Sequence, residues 1–150
     1  MYLWLLIAHS AWRWVVLIAG FAAVVSASIR LSGQEAWAPS GPRLSKFFGI
    51  AVDIQTLMGA ALYLIISPLT TVVVSATNTA LPPGSEAHFF AILHPVILVA
   101  AFIAVHISSV LIRRGRSDAA RQRRSIIGYS ITLLIITSGL PWWRPWLRLW

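Results

Sequence analysis

The sequence predicts an all-α integral membrane protein, an antiparallel four-helix bundle forming a single transmembrane domain over residues 1–150, and three observations lead there. Of its 150 residues 58% are hydrophobic and 11% charged, with mean hydropathy +0.78, a balance foreign to water-soluble domains. Four apolar stretches alternate with polar connections, each near the ~20 residues that cross a bilayer. The basic residues crowd into alternate connections, as multi-pass topology requires. Four spans use almost the whole length, so any chemistry sits inside or at the edges of the bundle.

The first stretch runs from about Leu3 to Ile29. It opens without the basic n-region of a signal peptide and stays apolar around His9 and Arg13, so it reads as a retained helix. The second covers 47–66, where Gly49, Asp53, Thr56, Ala60 and Tyr63 recur at spacings of three and four. That small, polar face is expected to turn into the bundle. The connection 67–88 holds a β-branched run (Thr70 to Val74), then Asn78, Pro82, Pro83 and Gly84. It reads as a short extended excursion closed by turns, with a helix start at Ser85 and Glu86 in the first turn. The third helix covers 86–112, with its apolar stretch from Phe89, although Pro95 offers a second start that would leave His94 at a helix cap. The fourth covers 125–140.

Charge gives the orientation. Arg30, Arg43 and Lys46 lie between the first two spans, and Arg113, Arg114, Arg116, Arg121, Arg123 and Arg124 between the last two, nine of the twelve basic residues on one side. By the positive-inside rule that side is cytoplasmic, and both termini with the 67–88 loop lie outside. The net charge of +8 therefore reflects topology and anionic lipid headgroups, and nucleic-acid binding is not predicted. Seven of the eight tryptophans, Trp4, Trp12, Trp14, Trp142, Trp143, Trp146 and Trp150, fall at the outer ends of spans one and four. There they read as an anchor in the lipid headgroups or, for the four in the tail, as a contact surface for a larger membrane complex.

Ionisable groups inside a span are costly and need a partner or a purpose. The candidates are His9, Arg13, Asp53, Gln55, His94 and His106, with His88 just outside. There are no cysteines, which excludes thiolate metal sites and covalently attached haem. His9 and His94 lie five or six residues, ~8–9 Å, inward from the outer ends of helices one and three. Two neutral imidazoles at one depth on non-sequential helices are the arrangement that ligates a b-type haem. Gly20, eleven residues after His9 and close to the same helical face, would let a flat macrocycle approach, and Arg13 would pair with a propionate. The competing reading is that both histidines only hydrogen-bond near the interface and that Arg13 reaches to headgroups. A second haem lacks ligands, since the deeper first-helix positions are Phe21, Ala22 and Ala23. Asp53 and His106 are each about six residues from the cytoplasmic ends of their helices, so they are expected to meet. They would form a proton-accepting site beside a quinone, a proton relay, or an interhelical clamp.

Together these features resemble a family of small bacterial four-helix membrane proteins sometimes labelled cytochrome-b-like. The matching residues are His9-Ser10, Arg13-Trp14, Asp53 and Gln55, Gly59, Ser67-Pro68, His94, His106, the arginine loop and Pro141-Trp142. In that pattern an acidic residue often precedes the first histidine of helix three, whereas here Leu93 does. The resemblance covers nearly the whole chain and implies a bacterial cytoplasmic (inner) membrane. Three functions follow as expectations. The first is a membrane electron-transfer subunit with one haem b, exchanging electrons with a quinone or a partner complex. The second is a cofactor-free accessory or assembly subunit of a larger membrane complex. The third, a proton-coupled carrier, is disfavoured by the absence of inverted repeats. A redox or accessory subunit is expected rather than a stand-alone enzyme.

Overall fold

The computed structural model describes residues 1–37, 40–66 and 82–144, and within them all side chains except those of Ser40 and Ile66. Among the described residues there are four long helices and no strand. Helix α1 is Tyr2–Ser32. Helix α2 is Ser40–Ala61, continued by a π-helical turn at Leu62–Ile66. Helix α3 is Glu86–Arg113, with a π-helical turn at Phe89–Leu93, and α4 is Asp118–Ser138. The expected extended run at Thr70 to Val74, together with Ser67-Pro68, Trp146 and Trp150, lies outside the described residues.

Helices α1, α2 and α3 are long and apolar enough to cross a membrane. The chain is a membrane protein. Large apolar side chains such as Ile18, Phe21, Leu57, Val96 and Leu134 are exposed along the helices, as contact with lipid acyl chains requires. The expectation for the fourth helix needs correction. It begins at Asp118, seven residues before the expected Ser125, because the Ser117 side chain caps the N–H of Ala120 at 3.2 Å and Arg and Gln are good helix formers. Only its later part, 125–138, is apolar, about 21 Å at 1.5 Å per residue. Helix α2 likewise starts before Phe47, since hydropathy marks the lipid-facing part of a helix and not its hydrogen-bonded end.

The start of α3 is as the sequence suggests, with Ser85 accepting from the His88 N–H at 3.1 Å. Pro95 does not begin the helix. It has no N–H to offer the Ala91 carbonyl four residues back, and the Tyr63 hydroxyl donates to that carbonyl at 2.8 Å instead. The π turn just before Pro95 widens the helix where the regular ladder breaks. His94 is thereby held inside a continuous helix.

Helix α1 packs on α2 and α4, and α3 packs on the same two. At the centre Phe48 and Tyr129, both fully buried, meet edge to face at 5.1 Å. Small residues permit close approach of α3 and α4: a Cβ on Gly128 would fall 2.5 Å from the Ser108 hydroxyl. The buried stripe of α2 is Phe48, Ala51, Val52 and Gln55. The face of Gly49, Asp53, Thr56, Ala60 and Tyr63 is therefore turned to the edge rather than into the core, because the bulkier Phe48 and Val52 fill the centre.

Candidate functional site

Two polar clusters stand apart in this apolar molecule. The first joins α1, α2, α3 and the end of α4. His9 and His94 face one another with ring centroids 6.4 Å apart and planes at 73°. His94 Nδ1 lies 2.7 Å from the Gly139 carbonyl oxygen. That acceptor fixes the proton on Nδ1 and leaves Nε2 with its lone pair. Gly139 is available because α4 ends there, so its carbonyl is not committed to a further helical turn.

Gln55 fixes the other ring. Its Nε2 donates to the His9 backbone carbonyl at 3.1 Å and lies 3.2 Å from His9 Nε2. Because the carbonyl can only accept, the amide nitrogen must occupy that position, and its second hydrogen is directed to His9 Nε2. The His9 proton then sits on Nδ1. His9 Nδ1 and Gln55 Oε1 are buried without a hydrogen-bond partner among the described residues, an arrangement that costs free energy unless a ligand or water completes it.

An apolar cavity of about 320 Å³ opens beside the two rings, with His9, Gln55, Gly59, Tyr63, His94 and Arg144 among its walls. Gly59 keeps it open next to His9: a Cβ there would lie 3.2 Å from His9 Cε1. Gly20 does not join this site. The space a side chain would take is filled by Phe48 and Leu133, at 2.8 and 2.7 Å from a built Cβ, so this glycine serves core packing. Eleven residues carry a helix ~16 Å along its axis, which moves Gly20 out of reach of His9 whatever its face.

Arg13 is half-buried, with its guanidinium 5.4 Å from the Trp14 ring centroid. It shares a smaller cavity of about 60 Å³ with His9, His94 and Arg144. Arg144 is anchored by a two-pronged pair with Glu86, at 3.0 and 2.8 Å, and Trp143 donates to the same carboxylate at 3.0 Å. Trp142 donates to the Thr137 carbonyl at 2.9 Å. These two tail tryptophans thus tie down the end of the molecule while more than half of each residue stays exposed. Trp12 differs from the expected headgroup anchor: it is half-buried and donates to the Ala51 carbonyl at 2.9 Å, tying α1 to α2.

The second cluster is the expected contact between α2 and α3. His106 Nε2 lies 2.9 Å from Asp53 Oδ1, and Phe102 packs edge-on against the imidazole at 4.5 Å. Both side chains are over 40% exposed, so the pair borders the lipid-facing surface.

Sequence reasoning placed the histidines but gave no site role to Gln55, Gly59, Tyr63, Gly139 or Arg144. A polar Gln at the depth of His9 was the one signal available. Compared with family models, with curated proteins and with solved structures, the chain matches none, and its function must be argued from its own residues.

Proposed function

We propose that the chain is an antiparallel four-helix bundle of a bacterial cytoplasmic membrane, with both termini on the outer side, that transfers electrons through one b-type haem held between His9 and His94. The observation that carries this reading is the 6.4 Å separation of two imidazole centroids at the wall of an apolar cavity. His9 and His94 would hold the group, and two imidazole ligands with metal–nitrogen bonds of about 2 Å would have ring centroids about 6 Å apart. The donor set also suits a macrocycle. Two imidazole donors, His9 and His94, line the cavity, and a porphyrin asks the protein for only two ligands.

The chain's own residues have defined tasks in this reading. Gly139 holds His94 Nδ1–H and directs Nε2 inward, as partners of ligating histidines do. Gln55 would have to give up its contact with His9 Nε2 for that nitrogen to serve as a ligand, and its bond to the His9 carbonyl ties α2 to α1 beside the ring. Arg13 would supply positive charge for a propionate, Arg144 is already paired with Glu86, and Gly59 keeps the His9 side of the cavity open. A bound haem supplies a one-electron couple, and the surrounding apolar walls keep water from it. Asp53 and His106, at the lipid-facing edge, are suited to take a proton from a membrane quinol as it is oxidised.

A cofactor-free accessory subunit is the second reading, favoured by the half-exposed Asp53–His106 pair, which a partner's helix would cover. One measurement separates the two. Full-length protein purified in detergent after expression with haem supply should give a reduced-minus-oxidised absorption spectrum with the sharp α band of a six-coordinate b-type haem. A flat difference spectrum would leave the accessory subunit as the reading.

A further inference from the structure

At the end of the molecule away from the His9–His94 cluster lies a second cavity, of about 600 Å³, between α2, α3 and α4. Its walls combine two kinds of surface. Trp37, Ile112 and Tyr129 give it an apolar floor, and Lys46, Arg113 and Arg121 are its charged members. Trp37 is seated against Gly41, where a Cβ would come within 3.1 Å of the indole. The Ser45 hydroxyl, also in the wall, is buried and has no hydrogen-bond partner among the described residues.

The positive charge at this end is neutralised from within only in part. The chain has four acidic residues, and each is already paired: Glu35 with Arg30 at 3.6 Å, Asp53 with His106 at 2.9 Å, Glu86 with Arg144 at 2.8 Å and, at the cavity wall itself, Asp118 with Arg121 at 3.2 Å. Among the described residues no carboxylate is left for Lys46 or Arg113. Arg121 spends further donors on Asp118 and on the Gly115 carbonyl, which holds it at the wall. Two cations without internal counterions, a hydroxyl donor lacking an acceptor, and an apolar floor at the end of the spanning helices together ask for an anion with several acceptor oxygens joined to an apolar body.

We propose that this cavity is a phosphate-binding site, with the headgroup of an acidic phospholipid as the ligand that its apolar floor favours. Lys46 and Arg113 meet the phosphate oxygens, the Ser45 hydroxyl donates to one of them, and the glycerol and acyl chain lie along Trp37 and Ile112. Basic pockets between membrane helices hold anionic headgroups in this way, and free phosphate has the same oxygens without the apolar body. The site is independent of whether the His9–His94 cluster holds a haem.

Native mass spectrometry of the full chain in detergent, titrated with phosphatidylglycerol, phosphatidylcholine or inorganic phosphate, tests the proposal. One phosphatidylglycerol should be retained in preference to phosphatidylcholine. The double variant Lys46→Gln/Arg113→Gln should weaken it about 30-fold, about fivefold per cation. The control Arg116→Gln/Arg123→Gln removes the same charge from exposed positions outside the cavity and should leave binding within about twofold of the parent. Displacement of the lipid by equimolar inorganic phosphate would keep the site and assign it to the free anion. Equal weakening in both double variants, or equal retention of the two lipids, would overturn it, because only a diffuse basic surface behaves so.

Discussion

His94 and His106 stand on one helix, yet their surroundings are opposite in kind. His94 is enclosed: its Nδ1 is held by a backbone carbonyl, and Phe89 and Phe90 pack around the ring at 5.7 Å. His106 is held by one carboxylate at an edge where nearly half its side chain is exposed. A ligand to a metal centre needs a ring fixed in orientation and tautomer by groups that do not themselves compete for the metal, and a backbone carbonyl does that. A proton-exchanging group needs access to its donor and a partner whose charge can change, which a lipid-facing carboxylate provides. In the proposed reading, the difference suits the first histidine to hold a cofactor and the second to handle a proton.

The largest expected effect breaks this contrast if it is mistaken. His9→Ala and His94→Ala should each remove nearly all of the reduced-minus-oxidised haem signal at equal yield of folded protein, because either change would leave one of the two residues proposed to hold the haem. His106→Ala should retain it. Loss of the signal in His106→Ala with retention in His9→Ala would reverse the assignment of the two sites.

Two glycines sharpen the same comparison between holding a site and holding the fold. Gly20→Ala puts a methyl against Phe48 and Leu133 in the packed centre and should lower stability by about 1–3 kcal/mol in detergent unfolding, as overpacking does. Its haem spectrum should be unchanged. Gly59→Ala meets only the edge of His9, so its unfolding midpoint should move less while the position or width of the haem bands shifts. An equal stability loss without a spectral change in Gly59→Ala would mean that this glycine too serves packing alone.

The same contrast explains what the sequence disclosed. Composition and spacing were enough for the helical membrane class, and counting residues inward brought Asp53 to His106 and His9 to His94, because depth in a straight helix is linear in residue number. Rotation about the helix axis and side-chain volume were not legible in this way. Gly20 matched the angular position of His9, but its axial distance and the bulk of Phe48 decide its surroundings. The polar stripe through Asp53 looked like a core face, yet Phe48 and Val52 compete for that space and win it by apolar volume. Backbone groups carry no sequence signal at all, so the Gly139 carbonyl that orients His94 appeared only with the end of α4 in place. The start of α4 was missed because its first turns are charged: a serine cap and good helix formers extend a helix past the region that hydropathy marks.

The smallest expected effect concerns the edge pair. A hydrogen bond between two membrane helices contributes on average about 0.6 kcal/mol, and at most about 1.7, because each group also finds partners when the helices separate. Asp53 and His106 form one such bond at 2.9 Å, and their exposure to the outer face gives no water to replace it in the bilayer. A double-mutant cycle with Asp53→Leu, His106→Leu and the combined variant should therefore give a coupling within that range, and Asp53→Asn should keep part of it, since the amide oxygen still accepts from the ring N–H. Strictly additive losses would mean that the contact does not hold α2 to α3. A coupling of several kcal/mol would exceed what one bond between two membrane helices contributes, and would favour a partner's helix lying over the pair.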